Sequence, residues 1–327
     1  MRAVRQLTPR IREYVLGRSD GAPLPAYEAG AHIELYFSVY GEPVVRHYSL
    51  VGGVASQPDD PGVYRIAVQH SGRPRGSAFM HEHFALGSTL CISRPKNNFA
   101  LNSFAPGRQG GKTLLVAAGI GITPIVTMLR SLVHLQRDFE VLYVGRSEVE
   151  MAYLQDVQHL ANLAGKKLHV HFSRQQNSRF DVHSLLAAQP ATPVPTCVYV
   201  CGPASLVQSM RAAAAALEWE AGRVVSELFT PAPTGDETPF ELHLEKSGLT
   251  LKVGQHTSIL EAMAAAGLQP LFDCRRGECG VCPLPVLAFD DVLQHRDAYL
   301  SDEEKASGNT MCICVSRIRG SRLVLNA

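Results

Sequence analysis

The chain has no surplus of charge and no long apolar run. Its 31 Lys and Arg residues against 30 Asp and Glu leave a formal net charge of +1, which argues against a nucleic-acid binder, because affinity for a phosphate backbone rests on excess cation. No stretch approaches the about 18 apolar residues a membrane span needs. The N-terminus, MRAVRQLTPRIREYVLG, lacks both an apolar core of about 7 to 15 residues and a small-residue cleavage site. No secretory signal is visible, so a cytoplasmic protein is expected, and disulfides are not expected among the 8 cysteines. No repeat with a period of about 20 to 50 residues and no low-complexity tract is present. At 327 residues, 46% hydrophobic and 19% charged, the chain is long enough for about two or three ordinary domains.

The cysteines are not spread evenly. Cys274, Cys279, Cys282 and one of Cys312 or Cys314 follow the C-x4-C-x2-C…C spacing that holds a 2Fe–2S cluster. Zinc ribbons and fingers favour two close ligand pairs instead, which this spacing does not supply. In the run CRRGECGVC, Gly277 and Gly280 let the backbone take positive φ and bring N–H groups towards cluster sulfur. A one-electron carrier is therefore expected. Cys91 and Cys197 read as thiols in strand cores.

The clearest boundary is TPAPTGDETP, residues 230–239, a linker by its prolines and polar residues. After it, FELHLEK and LTLKV form a hairpin pattern, SILEAMAAAG a capped helix ended by glycine, and residues 322–325 a last strand. That order, with the cysteine loop after the helix, resembles a plant-type ferredoxin domain. Before the linker, apolar runs at 113–117, 139–145, 167–173, 197–202 and 223–228 alternate with helical patterns at 124–135, 152–164, 182–188 and 204–217. The alternation implies a parallel sheet with helices on both faces, whose ligands bind beyond the strand C-termini. At two such ends stand glycines, Gly119 and Gly121 in AGIGITP and Gly202 in CGP. Each is either a tight turn or a place where a phosphate meets backbone and a helix N-terminus. The first hundred residues read as a small antiparallel barrel, with strands AHIELYF, RHYSLVG, YRIAVQH and STLCIS. On its second strand, alternation puts Arg46 and Tyr48 on one face.

Seven strings in order, RHYSL, GSAFMHE, GIGITP, CGP, SELF, CRRGECGVC and CVSR, make the whole chain resemble the reductase components of two-component Rieske oxygenases, the phthalate dioxygenase reductase and vanillate demethylase reductase family. The resemblance implies a multidomain α/β and β fold: a flavin-binding antiparallel β-barrel over 1–105, a Rossmann-like parallel-sheet NAD(P) domain over 106–229, the linker 230–239 and a plant-type 2Fe–2S ferredoxin of β-grasp form over 240–327. It implies FMN held by the strand Arg46, His47, Tyr48 and Ser49, with Arg46 at the phosphate and Tyr48 and Ser49 at the ring. Ala67, Val68 and Gln69 would line the ring edge, and Arg75, Gly76 and Ser77 would donate to the phosphate. Thr123 would approach the flavin from the nucleotide side, with Phe229 stacked where nicotinamide enters. Gly119, Gly121, Cys201 and Gly202 would hold the dinucleotide, Cys201 close to the nicotinamide. Glu227 would orient the nicotinamide or be a surface carboxylate.

Where NADH-using members of the family often carry an acidic residue after the third sheet strand, this chain has Ser173 and Arg174. A hydroxyl and a guanidinium with no repelling carboxylate suit a 2′-phosphate, so NADPH is expected to be accepted, or even preferred to NADH. The CVSR string selects Cys314 over Cys312 as the fourth cluster ligand. No cysteine is followed two residues later by histidine, so the chain lacks Rieske C-x-H pairs and is not the oxygenase itself. The expected partner is a terminal Rieske oxygenase, docked by Arg275, Arg276 and the cluster rim, with the reductase a monomer. Two other readings use the same residues: a reductase serving another hydroxylase or a P450, and a cysteine-cluster redox sensor that binds a partner without turnover.

Overall fold

The first part of the chain is built from short strands whose side chains alternate between a core and a second face. They are β1 (Ala3–Thr8), β2 (Ile11–Gly17), β3 (His32–Val39), β4 (Glu42–Ser49), β5 (Val63–Gln69) and β6 (Cys91–Ile92), with one helix, α1 (Ser77–His83). Two antiparallel three-stranded sheets, β1-β2-β5 and β4-β3-β6, close around Tyr14, Ile33, Leu35, Leu50, Ile66, Val68 and Met80. A bridge between Leu50 and Ile66 links them. This is the expected barrel. The computed structural model describes all residues except 53–59, 71, 73–75, 102–110, 190–194, 221, 230–237 and 256.

Next come β7 (Thr113–Ala118), α2 (Ile122–His134), β8 (Phe139–Gly145), α3 (Leu154–Leu163), β9 (Lys167–Phe172), α4 (Ser173–Gln176), α5 (Val182–Ala187), β10 (Cys197–Cys201), α6 (Ala204–Ala216) and β11 (Val224–Glu227). The strands form one parallel sheet in the order β11-β10-β7-β8-β9. β7 and β10 are wholly or nearly wholly buried, as a strand covered on both faces must be. The chain runs outward from β7 through β8 to β9, then returns to the other side of β7 for β10 and β11. Right-handed crossovers therefore place α2 and α3 on one face and α5 and α6 on the other, and each pair packs together. The point of reversal lies between β7 and β10.

These two layers share one compact unit, Met1–Glu227. Within it, Tyr153 holds a left-handed backbone conformation, φ 58°, and its hydroxyl donates to Glu13 on β2 at 2.9 Å. Glu13 is fully buried and also paired with Arg5. Gly30 approaches a helix of the parallel sheet as well, its N–H reaching Thr127 Oγ1 on α2 at 3.3 Å.

The second unit, Leu228–Ala327, contains β12 (Phe240–Leu244), β13 (Leu249–Val253), α7 (Ile259–Ala265), β14 (Pro283–Phe289), β15 (Leu293–Gln294), α8 (Asp302–Ser307), β16 (Thr310–Cys312), β17 (Arg317–Ile318) and β18 (Arg322–Leu325). A mixed sheet, β13-β12-β18-β14-β16, with β12 and β18 parallel, packs Leu242, Leu244 and Leu323 with Ile259 and Met263 of α7. Ser258 and Glu261 form a reciprocal capping box that starts α7, satisfying backbone N–H groups the helix leaves open. The cysteine loop runs from α7 to β14.

Candidate functional site

Two strand ends meet at the reversal point of the parallel sheet. Cys201 pairs with Ala117 across β10 and β7, so Gly119, Gly121, Cys201 and Gly202 are brought together. A Cβ on Gly121 would lie 2.2 Å from the Cys201 carbonyl oxygen, which only the absence of a side chain permits. Gly119 has φ 56° and open space where a Cβ would be, so backbone conformation, not packing, requires glycine there. The 13-residue α2 begins at this turn, with its first N–H, that of Ile122, bonded back to Gly119 O and its third residue a proline, and the positive end of its dipole is suited to a phosphate. Thr123, buried, donates from Oγ1 to Ile120 O at 3.0 Å. Glu227, paired with Cys201 in register, is 2% exposed. It is not a surface carboxylate.

On the barrel, the pairing of β3 with β4 opposes Ile33 to Tyr48 and Leu35 to Arg46, so Arg46 and Tyr48 do share a face. Tyr48 donates from its hydroxyl to Met80 Sδ at 3.1 Å, and burial pushes its phenol well above the ordinary value. Arg46 lies against Gly76, the residue before α1, where a Cβ would come within 2.7 Å of its Nε; Ser77 opens the helix. His47 and Ser49 fall on the opposite face. His47 stacks on His32 with ring centroids 5.4 Å apart and faces Glu34 at 3.7 Å. Ser49 Oγ is buried with no hydrogen-bond partner among the described residues, a free polar atom that a ligand would satisfy. On β5, Val68 points into the barrel core while Ala67 and Gln69 point the other way, Gln69 exposed. Arg75 lies outside the described residues.

In the cysteine loop, backbone N–H groups converge on sulfur. Those of Arg276 and Glu278 reach Cys274 Sγ at 3.3 and 3.4 Å, and that of Cys274 reaches Cys279 Sγ at 3.5 Å. The N–H groups of Val281 and Gly277 serve Cys279 and Cys314. Arg275, Gly277 and Gly280 all have positive φ, which turns the amides inward. A Cβ on Gly277 would meet Val315 Cγ2 at 2.6 Å and Asp297 Cα at 2.8 Å. The sulfurs of Cys282 and Cys314 are 3.1 Å apart. Hydrogen bonds from Cys312 and then Cys314 draw the Cys282 thiol down to about 3. An acceptor-rich sulfur cluster is what such donors fit. Glu278 does something no motif announced: its Oε1 accepts the N–H of Leu228 at 2.7 Å, tying the start of this unit to the cysteine loop. Phe229, half-buried, follows directly.

A toluene-4-sulfonate monooxygenase system reductase subunit of Comamonas testosteroni is 36% identical over 327 residues, covering 99% of this chain and 96% of that protein. Phthalate dioxygenase reductase, whose structure is described as modular for electron transfer from pyridine nucleotides to [2Fe–2S], superposes with a TM-score of 0.77 and 29% identity over 99% of this chain and 96% of that one. The chain belongs to the phthalate dioxygenase reductase family of oxygenase reductase subunits. As a member of that family it is an oxidoreductase that supplies electrons to an oxygenase. Residues 115–212 match the oxidoreductase NAD-binding domain and residues 242–319 the 2Fe–2S iron–sulfur cluster binding domain. The chain is also similar to an intact type IV self-sufficient cytochrome P450 monooxygenase, with a TM-score of 0.66 and 32% identity, and spans 40% of its length. No helix among the described residues is long and apolar enough to cross a membrane.

Three expectations for this oxygenase reductase change. Arg276 is not on a docking rim: it is 7% exposed and turned towards Glu278, with Nε 3.7 Å from Oε2. Arg275 is half-buried, its guanidinium lying over the Phe272 ring at 4.3 Å. Cys91 is exposed, because β6 is a two-residue edge strand and Cys91 pairs with the outward Tyr36; Cys197 is only partly buried. Arg174, finally, does not lie free of carboxylates. Its Nη1 is 2.9 Å from Glu150 Oε2, a partner 24 residues away that local sequence did not reveal.

Proposed function

We propose that this chain carries electrons from a nicotinamide nucleotide through FMN to a 2Fe–2S cluster, and on to a terminal Rieske-type oxygenase. The observation that carries the reading is the cysteine loop, whose inward backbone amides make a cradle for thiolate sulfur around a ligand spacing that fits a 2Fe–2S cluster and not the close pairs of a zinc site. The barrel fits FMN at two places: the Arg46 guanidinium against Gly76 for its phosphate, and the unpartnered Ser49 hydroxyl for its ring. A flavin takes up a hydride and gives up electrons singly, which reconciles a two-electron donor with a one-electron centre.

The protein's share is to hold and orient. Arg46, Gly76 and Ser77, with Arg75, bind phosphate; Tyr48, Ala67, Val68 and Gln69 shape the ring site together with Ser49, which ends the strand on the same face as His47, while His47 stacks on His32. Gly119, Gly121 and Gly202 let a dinucleotide approach the backbone, with Thr123 at the α2 N-terminus. Cys201 and Glu227 flank the nicotinamide position and Phe229 covers the ring. Cys274, Cys279, Cys282 and Cys314 ligate iron. The proposed division is 1–105, 106–229, a linker 230–239 and 240–327; the separate sheets support it, while the compact units part between Glu227 and Leu228 and both the 105/106 boundary and most of the linker lie outside the described residues. A cytoplasmic monomer suits reduced thiols and a diffusing partner.

A second reading has one observation in its favour, the likeness to a self-sufficient P450, in which a P450 rather than a Rieske oxygenase would receive the electrons. That P450 matches the whole of this chain, so module order does not separate the two readings; the likeness over nearly full length to reductase subunits of multi-component oxygenase systems favours a separate oxygenase partner. An absorption spectrum of the purified protein decides the core of the proposal: flavin and 2Fe–2S bands that bleach with NADH or NADPH are expected. A colourless, zinc-containing protein would refute it.

A further inference from the structure

We infer that Glu150 is the residue that selects the nucleotide, and that it selects NADH over NADPH. The inference rests on the dinucleotide reading above and goes beyond it. With the nicotinamide end at Cys201 on β10 and the phosphates at α2, the adenosine end extends along the strand C-termini to the far side of β7. There β8 and β9 end side by side, Gly145 paired with Phe172.

The two strand ends are stitched together. The N–H of Arg174 donates to Arg146 O at 3.1 Å. Glu150, in the single turn Glu148–Glu150 after β8, accepts from Ser147 Oγ and from Arg174 Nη1 through the same oxygen, Oε2, each at 2.9 Å. Ser147 belongs to the same turn, so the carboxylate stays in place even when the long, 61% exposed Arg174 side chain swings away. The ion pair itself, being exposed, is weak. Position matters more than pairing energy here: a fixed carboxylate accepts a ribose hydroxyl and repels a 2′-phosphate. Charges at this corner are Arg146 and Arg174 against Glu148 and Glu150, so the cationic excess a phosphate dianion needs is missing.

The test uses the full-length protein, with kcat/KM for NADH and NADPH and calorimetric binding of 2′-AMP and 5′-AMP. Wild type is expected to favour NADH by at least about tenfold. Glu150→Gln, which keeps shape and removes charge, should raise kcat/KM for NADPH by about tenfold and tighten 2′-AMP but not 5′-AMP. Adding Arg174→Ala should cancel both gains, whereas Glu148→Gln, a charge-matched change at an exposed neighbour, should give neither. A wild type that prefers NADPH, or a Glu150→Gln protein with unchanged selectivity and unchanged 2′-AMP binding, would overturn the assignment while leaving the reductase reading intact. Failure of both nucleotides to reduce the protein would instead bring down that reading, and the inference with it.

Discussion

Cys312 and Cys314 are both buried and both close to Cys282, so proximity alone does not separate them. Their backbones do. Cys312 ends β16 in register with Pro283, and its carbonyl accepts the Ser316 N–H at 2.9 Å, which gives it a place in the sheet. Cys314 instead receives an amide of the cysteine loop, that of Gly277. Cys314→Ser is therefore expected to abolish the visible 2Fe–2S absorption and Cys312→Ser to retain it, as measured on the purified variants; the opposite pattern would transfer the ligand role. The cysteine spacing could be read directly because cluster ligation demands a fixed local geometry. The burial of Arg276 and the exposure of Cys91 could not, since each depends on which distant segment covers that residue.

Among elements, the parallel sheet is pinned at the end remote from the nucleotide. Burial would raise the Glu140 carboxyl above its ordinary 4.5, but hydrogen bonds from Lys112 and His169 outweigh it and bring the group down to about 2. Both partners lie at 2.5 Å, Lys112 just before β7 and His169 within the first half of β9. A carboxyl whose folded value is depressed stabilises fully above its unfolded value and loses that contribution as pH falls towards the folded one. Stability of the sheet should hold above about pH 4.5 and decline below it, and Glu140→Gln should be less stable at neutral pH and flatter in acid. Trp219, the only tryptophan, sits in this layer with Arg223 stacked on it at 3.7 Å, so its fluorescence during thermal unfolding reports the transition. Strand positions here were legible because buried parallel strands read as unbroken apolar runs; β8 (Phe139–Gly145) coincides with the run 139–145. The first two barrel strands and α1 were not anticipated: β1 and α1 are short and only partly buried, and β2, though buried at most positions, has the charged Glu13 among its buried residues and so shows no apolar alternation.

For the whole molecule, one chain combines a nucleotide layer, a flavin barrel and a ferredoxin. Anaerobic titration with dithionite should therefore take up about three electrons per chain, two in the flavin and one in the cluster. Spectrophotometry that finds one electron would mean a cluster protein without flavin, and two a flavoprotein without a cluster. The sequence by itself determined the class of chemistry, because cysteine spacing, glycines at strand ends and the order of seven strings are properties of short segments. It also determined the fold class, because the period of apolar residues is local. Only the tertiary structure decided which charges act. Glu150 meets Arg174 across 24 residues and Glu278 meets Leu228 across 50, and it is folding that shortens those separations to hydrogen-bond length and changes what an arginine or a glutamate there can bind.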